Sequence, residues 1–418
     1  MIEPAPTRLA RRLGLRDAVV IGLGSMIGAG VFAALGPAAE AAGCGLLIGL
    51  AIAAVVAYCN ATSSAALAAV YPLSGGTYVY GRERLGPVWG YLAGWGFVVG
   101  KTASCAAMAL TVGAYAAPGH ERPVAVAAVV GLTTVNLLGV RKTAGLTRVI
   151  VVLVLVSLAL VVGGALFGGT ASADNIGDLG GSGLAGILRS AGLLFFAFAG
   201  YARIATLGEE VDDPARTIPR AIPRALGITL VVYAVVAVSA LLAVGPTALT
   251  RSTAPLATVV RAGDLDVLVP VVRVGGTIAA LGVLLSLIAG VSRTAFAMAA
   301  DRELPGWLDA VHPVHKVPHR AELTVGAIVL GLDLVTDLRG AIGFSSFCVL
   351  GYYAIANASA WTLPPEQRRW PRGLTVLGLI GCVVLALTLP LASVLAGTAV
   401  LALGVAIRAV RRRVVGYS

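Results

Sequence analysis

Long apolar runs, separated by short polar and basic connections, dominate the chain. Residues 149–167 and 374–389 are two such runs. A helix needs about 20 apolar residues to cross the hydrocarbon core of a membrane, and twelve segments approach or exceed that length. Membrane β-barrels would instead show alternation over strands of about ten residues. The pattern therefore predicts an all-α integral membrane protein with about twelve spans, which are 16–42, 45–70, 88–116, 122–140, 147–168, 187–210, 222–244, 267–299, 320–337, 340–362, 373–389 and 390–409.

Composition agrees with this prediction. Of the 418 residues, 58% are hydrophobic and 12% are charged, and the mean hydropathy is +0.91. A soluble domain carries roughly 25% charged residues, so lipid is the expected solvent. The five cysteines all lie within apolar runs. They are expected to be small buried apolar side chains and not a disulfide framework.

Basic residues are distributed unevenly between the two sets of connections. Of the 31 lysines and arginines, 23 lie in one alternating set together with both ends of the chain, and six lie in the other set. Because cytoplasmic loops are enriched in Lys and Arg, both termini are predicted to be cytoplasmic, in a multi-pass protein of the plasma membrane. The net charge of +11 follows from the same bias and does not indicate a nucleic-acid partner.

Two of the predicted spans carry glycines that disfavour a continuous helix. Residues 22–30 of the first span contain four glycines, and the sixth span has Gly200 near its middle. Each glycine costs about 1 kcal/mol relative to alanine in a helix. Close helix packing is one interpretation, since Gly24 and Gly28 form a G-x-x-x-G pair. The density of glycines favours a second interpretation, in which the first spans of two five-span blocks are broken helices of a transporter with inverted repeats.

Broken helices can bind an amino acid without any charged side chain. Their free N–H groups can hold a carboxylate, and their free carbonyls can hold an ammonium group or a cation. Irregular backbone is tolerated at membrane depth only where it is buried in protein or lines a cavity. The two glycine-rich spans therefore predict a site that binds both ends of an amino acid.

Five motifs, in order along residues 13–362, resemble those of the amino acid–polyamine–organocation permeases. They are GSMIGAGVF at 24–32, FFAFAGY at 195–201, EEVDDPARTIPRAI at 209–222, SRTAFAMAADRELP at 292–305 and YYAIAN at 352–357. The resemblance implies a LeuT-type fold with five plus five helices in inverted repeat, and with helices 1 and 6 discontinuous. The whole chain, 1–418, would then be one transporter domain, with repeats over 16–168 and 187–362 and two additional helices over 373–409.

The same resemblance implies the residues of the site. The substrate carboxylate would be received by the backbone of Ser25, Met26, Ile27, Gly28, Ala29 and Gly30. The amino group would be received by the carbonyls of Phe198, Ala199 and Gly200. Phe198 and Tyr201 would be gates or pocket walls, and ordinary helix packing is the alternative role for both rings.

The chain departs from the family pattern at its candidate coupling residue. Proton-coupled relatives carry a lysine midway along the fifth helix, where this chain has Val154, and Lys101 appears instead in the third span. A lysine at the centre of a membrane helix costs about 2.5–3.5 kcal/mol on insertion scales, so Lys101 is a candidate coupling residue. The alternative is a lysine that reaches the interface or pairs structurally. Arg203 is expected to pair with Glu209 or Glu210.

These features together predict a secondary active transporter of amino acids that works by alternating access. Neutral substrates are favoured because no acidic residue is assigned to the pocket, and a proton is the candidate coupling ion. An obligate exchanger and a cationic amino acid or polyamine permease are alternatives. An intramembrane enzyme or a channel is disfavoured, since the chain has no H-E-x-x-H or G-x-S-x-G motif and no filter-like loop. No cofactor or metal is expected, and His312, His315 and His319 are interpreted as part of a solvated loop.

Overall fold

The computed structural model describes residues 13–72, 75–139, 144–205, 210–263 and 265–415. These residues form helices and connections, and the described chain contains no β-strand, only an isolated parallel bridge between Leu13 and Val211. The helices are α1 (Leu15–Met26), α2 (Ala29–Ala42), α3 (Leu46–Val70), α4 (Thr77–Leu85), α5 (Pro87–Ala116), α6 (Glu121–Leu137), α7 (Ala144–Phe167), α8 (Gly183–Phe198), α9 (Ala202–Ala205), α10 (Pro214–Arg251), α11 (Pro255–Ala262), α12 (Val269–Ala300), α13 (His319–Val335), α14 (Leu338–Trp361), α15 (Arg372–Thr388) and α16 (Leu391–Val415). The all-α prediction is confirmed.

Eight segments of the described chain are long and apolar enough to cross a membrane. One of them, Gly30–Val70, contains most of α2 and all of α3. Arg372–Thr388 is a shorter apolar helix. Length and composition therefore agree with a membrane-spanning bundle, and the count of twelve spans stays a prediction.

The helix boundaries follow from local sequence signals. Asp337 caps α14, because its carboxylate accepts a hydrogen bond from the Gly340 N–H group at 2.8 Å. Pro214 and Pro87 occupy the first turns of α10 and α5, where a proline loses no helical hydrogen bond. The apolar run suggests that α10 starts at residue 222, and this boundary is wrong. The helix begins earlier, at Pro214, and it continues through a kink at Gly245 to Arg251.

Burial separates central helices from peripheral ones. Most side chains of α3 and α5 are buried, whereas α7 exposes large apolar side chains such as Val149, Val152 and Val156. In water such a surface would be unfavourable, and in a bilayer it is the expected lipid-facing side. The interrupted helices described below pack against α3 and α10, inside the bundle.

A polar network ties α4 to the end of α12. The Tyr78 hydroxyl donates a hydrogen bond to the Asp301 carboxylate at 2.6 Å, and Arg82 forms an ion pair with the same carboxylate. Burial, together with this hydrogen bond, raises the pKa of Tyr78 above its usual value. Asp301 belongs to the fourth of the five motifs, so this motif fixes the connection between two helices.

Candidate functional site

The first interruption lies between α1 and α2. Ile27 has φ −78° and ψ 61°, and Gly28 has φ −120° and ψ −142°, so the chain leaves the helical region for two residues. The Ile27 N–H group donates to the Leu23 carbonyl at 2.6 Å, and the Gly28 N–H group donates to the Met26 carbonyl at 2.8 Å. The N–H groups that helix geometry leaves without an intrahelical partner are therefore those of the first turn of α2.

The second interruption lies between α8 and α9, and it is gentler. Residues Ala199–Tyr201 form one turn of 3₁₀ helix before α9 begins at Ala202. The backbone stays right-handed, with φ −62° and ψ −3° at Ala199. In a 3₁₀ turn each N–H group bonds to the carbonyl three residues earlier, and not four as in an α-helix. The carbonyls near Phe198 therefore change direction, while the chain continues along the same path.

The two interruptions lie against each other. A Cβ atom added to Gly200 would overlap the Ser25 carbonyl, and one added to Gly30 would lie 2.7 Å from the Ala197 Cα atom. The chain that precedes α1 also meets the chain that follows α9, because the Leu13 N–H group donates to the Glu210 carbonyl at 3.1 Å. The structure thus brings together the two segments that the sequence singles out.

Most of the predicted site residues whose burial is described are buried in this conformation, and Ser25 and Gly200 are partly exposed. Met26 and Ile27 are each 1% exposed, and Phe198 and Tyr201 are fully buried. The Ser25 hydroxyl donates to the Ile21 carbonyl at 2.9 Å, one turn back in α1. The hydrogen of the Ser25 hydroxyl is therefore used within α1, and the binding role of Ser25 stays a prediction.

Two tyrosines bond to carbonyls of the interruptions, and one of them, Tyr233, bridges both interruptions. The Tyr233 hydroxyl of α10 lies 3.0 Å from the Ala197 carbonyl and also hydrogen-bonds to the Met26 carbonyl. A hydroxyl has one hydrogen to donate, so these two carbonyls share it. The Tyr353 hydroxyl of α14 donates to the Ala199 carbonyl at 3.2 Å. Tyr233 is not singled out by the sequence, because its one distinctive feature is a phenol hydroxyl within an apolar span.

The aromatic residues of the site form two ring pairs. Phe198 packs against Tyr233 with ring centroids 5.1 Å apart, and Tyr201 stacks on Tyr353 with centroids 5.0 Å apart. Such pairs stabilise a packed arrangement beyond the burial of their area. In this conformation Phe198 and Tyr201 are part of the helix packing, and their role as gates stays a prediction.

Lys101 lies on α5, which packs chiefly against α12 and α14. It is 8% exposed and interacts electrostatically with Cys105, one helical turn further on. No carboxylate among the described residues forms an ion pair with it. Val154, at the position where relatives carry a lysine, is fully buried.

Other charged residues have the simpler roles that the sequence suggests. Glu210 interacts electrostatically with Arg203, and Glu209 lies outside the described residues. Arg216 and Asp213 form an ion pair of 3.6 Å near the start of α10.

The histidine-rich connection is stabilised by local hydrogen bonds. His312 Nδ1 accepts hydrogen bonds from the N–H groups of Val314 and His315, both at 3.2 Å. Partial desolvation and the neighbouring His315 and His319 lower the pKa of His312. Within the described ranges, no group of three or more His, Cys, Asp or Glu residues is arranged to hold a metal ion.

Two buried carboxylates on α13 were also missed. Glu322 is 3% exposed and Asp333 is 0% exposed. No acidic residue is assigned to the pocket from the sequence, and these two carboxylates are not singled out within the predicted span 320–337. The sequence does predict that Glu322 and Asp333 share one face of a helix, because residues eleven positions apart are separated by about three turns.

Comparison with known proteins identifies the family. The sequence matches the amino acid permease family over residues 17–364. The chain is 66% identical to an uncharacterized transporter of Mycobacterium tuberculosis, over 97% of this chain and 92% of that protein. It is 25% identical to a branched-chain amino acid permease of Bacillus subtilis, over 89% and 84% of the two chains. It is 28% identical to the human cationic amino acid transporter 4, over 84% and 60%.

The helical fold, the apolar segments and these relatives define a multi-pass membrane transport protein. The chain belongs to the amino acid permease family, which confirms the resemblance carried by the five motifs. Membership in this family supports an amino acid as the substrate and a location within a membrane.

Proposed function

We propose that this protein is a secondary active transporter that carries neutral amino acids across the plasma membrane by alternating access. The observation that carries the proposal is the contact between the two interrupted helices at Ser25 and Gly200. Because Gly200 has no Cβ, its backbone approaches the Ser25 carbonyl, and Gly30 in the first turn of α2 also lies close to Ala197. These contacts support a site between the N-terminus of α2 and the carbonyls of the second interruption.

The substrate would be bound by backbone groups at this contact. The carboxylate would lie at the N-terminus of α2, where free N–H groups and the helix dipole favour an anion. The ammonium group would lie against the carbonyls of Phe198, Ala199 and Gly200. Because the N–H groups of Ile27 and Gly28 already donate within the first interruption, the first turn of α2 is the stronger part of the proposed carboxylate site, Ser25 to Gly30.

Alternating access requires the two interruptions to separate. In the conformation described here both are largely buried, with Tyr233 bonded to a carbonyl next to each of them. We assign this conformation to a closed state, in which substrate entry needs Phe198 or Tyr201 to move. The proposed transporter in which this motion takes place is a twelve-span bundle with two five-helix repeats and both termini in the cytoplasm.

A neutral substrate is supported by the site and by one relative. The proposed pocket is formed by backbone groups and apolar or aromatic side chains, and the Bacillus subtilis relative is a branched-chain amino acid permease. The human relative is a cationic amino acid transporter, so a cationic substrate is the second candidate. A cationic side chain would gain from a carboxylate in the pocket, and the binding panel below separates these two substrate classes.

The first experiment is a thermal-shift panel of the twenty protein amino acids on the purified protein. A ligand that binds only the folded state stabilises it by about 2.7 kcal/mol at a concentration of 100 Kd. We expect neutral amino acids to give the largest shifts. The methyl ester and the N-acetyl derivative of the best ligand should give little or no shift, because each removes one of the two groups that the interruptions hold. An ester that stabilises as well as the free acid would contradict the carboxylate site.

The second experiment is uptake into proteoliposomes. A transporter shows saturable uptake that is accelerated by substrate on the opposite side, and a channel shows neither. Exchange without net uptake would identify an obligate exchanger. Lys101 is the proposed coupling residue, so Lys101→Ala should lose net uptake or lose its pH dependence across about pH 5 to 8.

A further inference from the structure

The buried face of α13 carries a carboxylate near each end. Glu322 and Asp333 lie eleven positions apart, which corresponds to about 16 Å along the helix axis at 1.5 Å per residue. The residues of α13 that are buried form one stripe, which consists of Ala321, Glu322, Val325, Gly326, Val329 and Asp333. Acidic groups at such depth are expensive and usually functional.

Asp333 is the more isolated of the two carboxylates. Neither of its oxygens has a hydrogen-bond donor among the described residues, and it forms no ion pair with a described cation. For Glu322, one oxygen lacks a partner and Arg293 of α12 acts on the group electrostatically. An ionised carboxylate without donors or a cation in a dry interior is strongly unfavourable, so the surroundings of Asp333 favour its neutral, protonated form.

The groups that face Asp333 come from the helices packed against α13, which are α5, α6 and α12. From α5, the buried Cys105 thiol lies near both Asp333 and Lys101. The thiol is thus close to the buried acid of α13. It is also close to Lys101, which lies one helical turn earlier in α5.

The other two helices place their cations toward the ends of α13. From α6, the Arg122 guanidinium donates to the Leu334 carbonyl at 2.9 Å. From α12, Arg293 acts on Glu322, three turns from Asp333. Arg122 lies at the end of α13 that carries Asp333, but it is exposed and bound to a backbone carbonyl. Of the α12 arginines, Arg273 is partly exposed and Arg293 is exposed. Lys101 is the buried cation among the described residues of α5, α6 and α12, and it shares the interior with Asp333.

We propose that Asp333 is a proton-binding site that couples transport to proton movement by alternating between a protonated carboxyl group and an ion pair with Lys101. In the conformation described here, a carboxylate oxygen holds the proton as an O–H group. In the other state, the Lys101 ammonium approaches, the O–H bond breaks, and the proton leaves to water while the carboxylate pairs with the ammonium. This inference rests on the proposed transport function and adds a second coupling residue to it.

The test uses the full-length protein in proteoliposomes with a radiolabelled mixture of the twenty protein amino acids. Accumulation is driven by an acidic outer solution, and exchange is measured separately without a pH gradient. Asp333→Asn keeps the size of the side chain but binds no exchangeable proton. We expect it to lower proton-driven accumulation by about tenfold or more, within the usual range of coupling energies, while exchange stays within about twofold of the parent.

Three variants control this experiment. Glu322→Gln removes the other buried carboxylate of the same helix face and should retain both activities. Asp333→Glu restores an acid and should recover part of the accumulation. If Asp333 and Lys101 act as a pair, the effects of Asp333→Asn and Lys101→Ala on accumulation should be non-additive.

The outcomes distinguish this inference from the proposed function. Parental accumulation in Asp333→Asn would overturn the inference, and so would loss of exchange in both Asp333→Asn and Asp333→Glu, which indicates a structural role. A parent protein that exchanges amino acids but ignores the pH gradient also overturns the coupling inference and leaves transport intact. A parent that neither accumulates nor exchanges amino acids contradicts the proposed function itself.

Discussion

The two helix interruptions solve the same structural problem in different ways. The first leaves the helical region abruptly at Ile27 and Gly28, and α2 starts as a separate helix. The second passes from α8 through a single 3₁₀ turn into the four-residue α9 without leaving right-handed conformations. The first interruption breaks the helix, and the second replaces one α-helical turn by a tighter 3₁₀ turn.

The difference explains what each glycine does. At the second interruption, the torsion angles of Ala199 and Ala202 suit ordinary L-residues, and Gly200 is needed because its neighbour is the Ser25 backbone. At the first, Gly28 faces the Val283 side chain of α12, which has some freedom to move. Backbone yields less readily than a side chain, so the second interruption should tolerate substitution worse although it is the more regular of the two.

The largest effect is therefore expected for Gly200→Ala. The added Cβ would overlap the Ser25 carbonyl and crowd the Met26 N–H group, which forces the two interruptions apart. Overpacking of this kind costs about 1–3 kcal/mol, and the proposed site would lose its geometry. Melting of the purified protein and amino acid uptake should both show the loss.

Gly163→Ala is the matched control for this substitution. Gly163 lies in α7 with no atom within 4 Å of its added Cβ position. The control should therefore retain the parental melting temperature and uptake. If Gly200→Ala behaves like the control, the contact between the interruptions is not required for folding or transport.

A smaller loss of stability, with a similar loss of binding, is expected for Gly28→Val. The new side chain would overlap the Val283 side chain and fill the space beside the first turn of α2. Because Val283 can shift, we expect a cost near the lower end of the 1–3 kcal/mol range for overpacking. The thermal shift produced by the best amino acid should disappear.

The double variant Gly28→Val, Val283→Ala separates packing from binding. Removal of the Val283 branches should restore stability without restoring the ligand-induced shift. Recovery of both would mean that Gly28 serves helix packing, as its G-x-x-x-G spacing with Gly24 also suggests, and would contradict the carboxylate site.

The sequence was sufficient for features that depend on local chemistry. Glycine density predicts a break within residues 22–30, which the structure has at Ile27 and Gly28, and the FFAFAGY motif predicts the second break near Gly200. The short helices α4 and α11 were not predicted, because nine and eight residues are too few to show a membrane-length apolar run. The earlier start of α10 was missed because Pro214 sets the boundary before the apolar run begins.

Features that depend on distant partners could not be predicted from the sequence. Tyr233 bonds to the carbonyl of Met26, 207 positions away, and no local pattern in α10 indicates that partner. Asp333 lies in a run that was counted as apolar, and its isolation depends on which helices cover α13. A buried polar group is visible in the sequence, whereas its lack of a partner is a property of the packing.

The smallest effect, and the most specific one for the comparison, is expected for Tyr233→Phe. The variant keeps the ring that packs on Phe198 and removes the hydroxyl shared by the Met26 and Ala197 carbonyls. A hydrogen bond of this type contributes about 0.5–1.5 kcal/mol, and the loss falls on the closed state in which the interruptions are linked. Tyr115→Phe is the control, and it removes a 2.9 Å hydrogen bond to the Phe32 carbonyl and a 3.2 Å hydrogen bond accepted from the Leu256 N–H group. If Tyr233 stabilises the closed state specifically, Tyr233→Phe should change the apparent affinity and rate of uptake in opposite directions or by different factors, up to about tenfold for 1.4 kcal/mol. The control should lower only the melting temperature. Equal behaviour of the two variants would make the Tyr233 hydroxyl a general packing contact, and the close contacts at Gly200 and Gly30 would then hold the two interruptions together.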